Sequence, residues 1–235
     1  MIKYITLALA LLPGAVSAQA FEGAVVDLQF QRYDDGGGFK VDSLEGTLDA
    51  TWQFGRFGAQ AGLVLGKEVN GIEDIDLRSY QGVALHLTAD ATDTLRLGAM
   101  MAADNNFDGV YLYAAEALYL AGPLRVEGRI GDSFDKGDPY GLFEVNGSYA
   151  ITGPLAVRFG THYSDFGAGS YYNTFTLGAG YTTPAGTEFY ADVGRHTTDA
   201  GAGADALHGS LFNLGVRFDL GAGGSDKAFR YQPLN

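Results

Sequence analysis

The sequence holds no cysteine and four histidines: His86, His162, His196 and His208. Thiolate nucleophiles, thiolate metal sites and disulfides are therefore excluded. Nucleophilic chemistry would fall to His162-Tyr163-Ser164-Asp165. Residues two apart in an extended strand share a face, so His162 could take the proton of the Ser164 hydroxyl. The blander reading is a polar pair whose members satisfy each other. An H-E-x-x-H zinc pair, a G-x-S-x-G elbow and a phosphate loop are all absent. Two acidic stretches, Glu73-Asp74-Ile75-Asp76 and Asp132 to Asp138, bring carboxylates together. Calcium takes about six to eight oxygens, and Lys136 and the missing terminal glutamate fit solvated surface better. No metal or cofactor is expected.

The remaining charges fall into a pattern that depends on strands. In Phe212-Asn213-Leu214-Gly215-Val216-Arg217-Phe218-Asp219-Leu220 every second residue is apolar, and Leu44 to Phe54 and Leu155 to Tyr163 repeat the alternation. Such a period of two gives each strand one apolar and one polar face. Twelve segments carry it, at about 21–33, 43–54, 57–67, 79–89, 94–104, 109–120, 123–132, 139–151, 154–165, 171–182, 187–197 and 208–220. The connections alternate between short turns and mostly longer loops rich in charge or glycine. An even strand number with short turns on one side and long loops on the other marks an outer-membrane barrel. The expected fold is thus all-β, a transmembrane antiparallel up-and-down β-barrel of about twelve strands.

Composition agrees. The chain has 35 glycines in 235 residues, about twice ordinary usage. A net charge of −13 speaks against a nucleic-acid partner, which requires a basic surface. Lys3, the apolar run Ile5 to Leu12, the break at Pro13-Gly14 and the small residues up to Ala20 read as a secretory signal peptide over 1–20. The barrel is then expected over 21–220, with a C-terminal tail over 221–235.

Alternation alone does not say which face points in. A soluble sandwich or lipocalin-like barrel buries the apolar face, whereas a membrane barrel shows it to lipid. Aromatics at the strand ends favour the membrane. Tyr33, Tyr111, Tyr113, Phe143, Tyr163 and Tyr172 gather toward the long loops, and Trp52, Phe54, Phe57, Tyr119, Tyr149, Tyr181 and Phe218 toward the short turns. With the apolar faces outward, Arg96, Glu116, Arg125, Glu127, Arg129, Glu144, Arg158, Asp192 and Arg217 line the interior, together with Asp27, Asp49, His86 and His162. Arginines in an open pore would raise the local anion concentration.

The whole of this architecture resembles the small porin-like outer-membrane proteins of Gram-negative bacteria. The resemblance implies passive diffusion of small polar solutes and a non-enzymatic channel in contact with outer-membrane lipid and lipopolysaccharide. A plugged, non-conducting structural barrel is the alternative, because charges confined in a lumen also pair with one another. Members of these families commonly end on an aromatic of the last strand, whereas fifteen residues follow Leu220 here. They form either a periplasmic tail or a segment that folds back and docks Phe229 or Tyr231. His162-Tyr163-Ser164 also looks like the H-x-S motif of outer-membrane lipid A 3-O-deacylases, which would make His162 and Ser164 catalytic. That family carries asparagine where Asp165 stands and needs a downstream glutamate, and the next acid here is Glu188.

Overall fold

The computed structural model describes residues 21–38, 40–70, 79–105, 110–133, 141–201, 205–221 and 228–230. The expected signal peptide, Glu73-Asp74-Ile75-Asp76, most of Asp132 to Asp138 and most of the tail lie outside them. Twelve strands follow one another: β1 (Phe21–Asp34), β2 (Lys40–Phe54), β3 (Phe57–Asn70), β4 (Ser79–Asp90), β5 (Leu95–Asp104), β6 (Val110–Ala121), β7 (Leu124–Ser133), β8 (Gly141–Thr152), β9 (Leu155–Gly167), β10 (Ser170–Thr182), β11 (Glu188–Asp199) and β12 (Leu207–Gly221). Each pairs antiparallel with its sequence neighbours, and β1 pairs with β12 to close the barrel. Each strand matches one of the twelve segments expected from the sequence.

Cross-strand partners share a face, so the register carries one parity around the whole barrel. Asp27 opposes Arg217 on β12 and Thr47 on β2, and Thr47 opposes Val64 on β3. The outward set is apolar: Phe57, Leu87 and Ile130 are 68%, 71% and 63% exposed. The inward set includes Glu45, Asp49, Gln60, Arg96, Glu127 and Asp192, all buried. A water-soluble barrel would show the opposite distribution. An apolar belt outside and polar groups inside define a transmembrane barrel of the outer membrane.

Of the aromatics expected at the interfaces, two face the other way. Tyr33 lies against buried His196, ring centroids 4.0 Å apart, and Tyr172 lines the lumen. Both sit on the inward parity of their strands. The others named on the long-loop side, Tyr111, Tyr113, Phe143 and Tyr163, are exposed outside.

The interior departs from uniform polarity in one sector. Val64, Tyr80, Ala84, Met100, Ala102, Leu112, Ala114 and Leu142 form a buried apolar cluster inside the barrel, with Phe166 against it. On β5 and β6 both faces are apolar, in Leu97-Gly98-Ala99-Met100-Met101-Ala102 and Ala114-Ala115. This cluster fills the loop-side lumen of the β3–β8 wall, much as side chains fill smaller barrels.

Candidate functional site

The interior is organised by two ionic networks on opposite walls. On the β9–β1 wall, Arg158 donates from Nε to Asp192 Oδ1 (3.0 Å) and from Nη1 to Glu188 Oε1 (3.0 Å). The other oxygen of Glu188 accepts from Arg217 Nη1 at 2.8 Å, and Arg217 Nη2 donates to Asp27. Asp192, Arg158, Glu188, Arg217 and Asp27 thus form one alternating chain across four strands. Tyr190 sits inside it. The Arg158 guanidinium lies 4.0 Å from the centre of its ring, and its hydroxyl donates to Asp27 at 2.7 Å. The ring lies flat over Gly215, its partner on β12, where an added Cβ would be 2.2 Å from the ring.

On the β4–β8 wall, Arg129 is the hub. It donates to Glu116 (2.9 Å) and Glu144 (3.2 Å) and lies 3.6 Å from Glu127. His86 Nδ1 shares a 2.7 Å hydrogen bond with Glu116, and Asn146 donates to Glu144. Arg125 donates to Glu127 at 2.9 Å. Charges taken from water need partners of this kind, since an unpaired buried charge costs several kcal/mol, roughly 3–5 for a broken pair. Arg96 stands apart at the short-turn end, bound to Asp90 (2.7 Å) and Gln53 (2.8 Å).

All nine residues expected to line the interior do lie on the inward parity. The structure separates them by role. Arg125, Arg158, Asp192 and Arg217 border the lumen cavity, whereas Arg129, Glu116 and Glu144 are sealed in the opposite wall. Each of the five arginines is ion-paired, so the positive charges of the interior are locally neutralised by the acids expected on the same face.

Residues Ala228-Phe229-Arg230 lie inside the barrel against the β3–β7 wall, so this part of the chain folds back. Phe229 is fully buried, its ring parallel to that of His86 with centroids 6.1 Å apart. Gln60 grips its main chain, accepting from the Phe229 N–H at 2.9 Å and donating to its carbonyl.

Beside this segment runs a cavity of about 250 Å³. Its lining extends from Gln31 and Tyr172 near the long-loop rim to Thr182, Gly186 and Asp219 at the short-turn rim. Between them stand Gln29, Glu45, Thr174, Thr176, Asn213 and the Asp192–Asp27 chain. Glu188, Tyr190, Gln29 and Asn213 also line the cavity, beyond the residues expected from the sequence, and the inward parity of β1, β11 and β12 is enough to include them. Of the two alternatives open for the segment after Leu220, the docked one holds for Phe229, but nothing in the sequence marked the side chains that seat it.

His162 Nε2 and Ser164 Oγ are 2.6 Å apart on β9, as a spacing of two requires. Ser164 is 1% exposed and the pair faces the lumen. Among the described residues, no carboxylate hydrogen-bonds the His162 ring, so nothing orients it as a general base. A lipid acyl chain meets the outer face of a barrel, away from this pair.

No family model matches the chain, and no curated protein matches it. Solved structures do. The chain is similar to the NanC porin, at 13% identity and a TM-score of 0.58, over 83% of this chain and 100% of that one. It is similar to the KdgM porin at 12% identity and a TM-score of 0.56, over 83% and 98% of the two chains. An outer-membrane channel of Pseudomonas putida F1, COG4313, gives 15% identity and a TM-score of 0.60, over 88% and 99%. These likenesses establish the shared barrel fold.

Proposed function

We propose that the protein is an outer-membrane channel for passive diffusion of small polar solutes. The observation that carries this reading is the polar cavity whose lining runs from one rim of the barrel to the other. Its wall offers carboxylates, guanidinium groups, amides and hydroxyls in alternation, which replace the hydration shell of a passing solute without holding it tightly. The Tyr190 ring offers little surface for stacking, because Gly215 backs one face and Arg158 covers the other. Small hydrophilic molecules fit this chemistry better than apolar ones. The fold neighbours include the KdgM porin, also solved with disordered oligogalacturonate, and that ligand belongs to that protein. The outward apolar belt is the lipid contact, and loop carboxylates bridged by divalent ions would meet lipopolysaccharide.

A plugged barrel is the second reading, favoured by the buried tail and by the apolar cluster beside it. Single-channel recording in planar bilayers separates the two. Discrete conductance steps support the channel, and a silent, correctly folded barrel supports the plug. An enzymatic role at His162 and Ser164 has the least support, because the pair points away from lipid and lacks an orienting acid.

A further inference from the structure

We infer that the β3–β7 wall of the lumen is a peptide-binding site, that its ligand is an extended segment carrying a phenylalanine, and that the chain's own Ala228–Arg230 fills it as an exchangeable plug. The main chain of this segment is read almost completely. Arg125 donates to the Ala228 carbonyl at 2.7 Å, and Gln60 takes both the N–H and the carbonyl of Phe229. Glu127 accepts from the Arg230 N–H at 2.8 Å, and Arg129 donates to the Arg230 carbonyl at 2.8 Å. From the Ala228 carbonyl to the Arg230 carbonyl, each main-chain polar group meets a side chain of the wall. Extended peptides usually bind by adding to a sheet edge. A closed barrel has no edge, so here side chains supply the donors and acceptors.

The reading groups are also bonded to the wall itself. Gln60 is also bonded to Asp49 at 3.1 Å, Arg125 to Glu127, and Arg129 to Glu116 and Glu144. Pre-organisation of this sort lowers the cost of ordering a ligand. Selectivity comes from the side chain. The Phe229 ring lies beside His86 and over Gly98, where an added Cβ would be 2.9 Å from the ring. Arg230 lies within electrostatic reach of Arg125, Arg158 and Arg217 as well as Glu188, so the repelling neighbours outnumber the attracting one among them and charge favours release. Three residues, one apolar anchor and a set of like charges suit an occupant that leaves and returns.

Two full-length variants test this, Phe229→Ala and Gly98→Val, each first checked for folding by its faster migration when unboiled. Trypsin cuts after Arg230 only when that residue has left the lumen, which is too narrow for a protease. Wild type should resist this cut, and Phe229→Ala should be cut many times faster. A fluorescent peptide of sequence Asp-Lys-Ala-Phe-Arg-Tyr-Gln should bind the Phe229→Ala protein more tightly than wild type, whose site is filled. The same peptide with alanine for phenylalanine should lose most of that binding. Equal trypsin cleavage of wild type and Phe229→Ala, or equal binding of the two peptides, overturns the proposal. Should Gly98→Val not fold, Phe229→Ala still decides, because its change lies outside the strands. The conductance arm alone rests on the channel reading: a higher conductance for Phe229→Ala, lowered again by added peptide, links the plug to transport. Peptide binding and trypsin sensitivity without conductance in any variant would uphold the peptide site and defeat the channel instead.

Discussion

Tyr190 shows how single residues set the shape of the lumen. Its ring cannot lift off Gly215, because the hydroxyl is tied to Asp27 and the Arg158 guanidinium presses on the opposite face. Tyr80 repeats the arrangement across the barrel, lying over Gly66 with its hydroxyl donating to Glu45 at 2.7 Å. Gly215 and Gly66 therefore make room for flat aromatic rings, a known partner role for glycine in sheets. Gly215→Ala should force the ring out of this slot and destabilise the barrel by about 1–3 kcal/mol, the usual cost of overpacking. Gly128→Ala is the control, since its Cβ would meet nothing closer than 3.8 Å. Urea unfolding midpoints in lipid vesicles should fall for the first and stay near wild type for the second; equal midpoints would mean that the ring moves freely.

Among the elements, β10 gives the clearest test of inside against outside. Phe175 and Leu177 are 58% and 51% exposed on the lipid side, and Thr174 and Thr176 alternate with them on the cavity side. Leu177→Arg should cost about 2–4 kcal/mol near the bilayer midplane, where an arginine meets hydrocarbon. Thr176→Asn, one residue away, should fold nearly as wild type, because its side chain faces other polar groups. Refolding yields into liposomes measure both, and a reversed order would turn the barrel inside out. This parity is legible in the sequence wherever polar and apolar residues alternate, as in β2, β9 and β12, and it puts Arg158 and Arg217 on the inward face of their strands. It was faint in β5 and β6, where alanine and methionine occupy both faces, so the apolar cluster inside the lumen went unforeseen. The seat of Phe229 was illegible for a different reason. It is built from Gln60, Arg125, Glu127 and Arg129 acting on main-chain atoms more than 100 positions away, and local pattern carries nothing about such contacts.

At the scale of the whole molecule, the lumen is divided lengthwise. One side is packed by the apolar cluster and by Ala228–Arg230, and the other keeps the polar cavity. Charge within that cavity decides which ions it prefers. Arg125, Arg158, Arg217 and Arg230 face Asp27, Glu45, Asp49, Glu188, Asp192 and Asp219, four formal positive charges against six negative. The net charge of the chain, −13, has the same sign. The paired arginines therefore do not dominate the pore, and reversal potentials in a potassium chloride gradient should show a mild preference for cations. Screening separates the sources of this preference. The Debye length falls from about 10 Å at 0.1 M salt to about 3 Å at 1 M, so charges on the outer loops stop contributing while those at the cavity wall still act. Asp192→Asn should shift the reversal potential toward anions even in concentrated salt, and Arg158→Gln should shift it toward cations. Each variant also breaks a link in the Asp192–Asp27 chain, so the shift is read only in proteins that retain heat-modifiable migration. An anion-preferring wild type, or variants that move the potential only at low salt, would show that ions pass along a path other than this cavity.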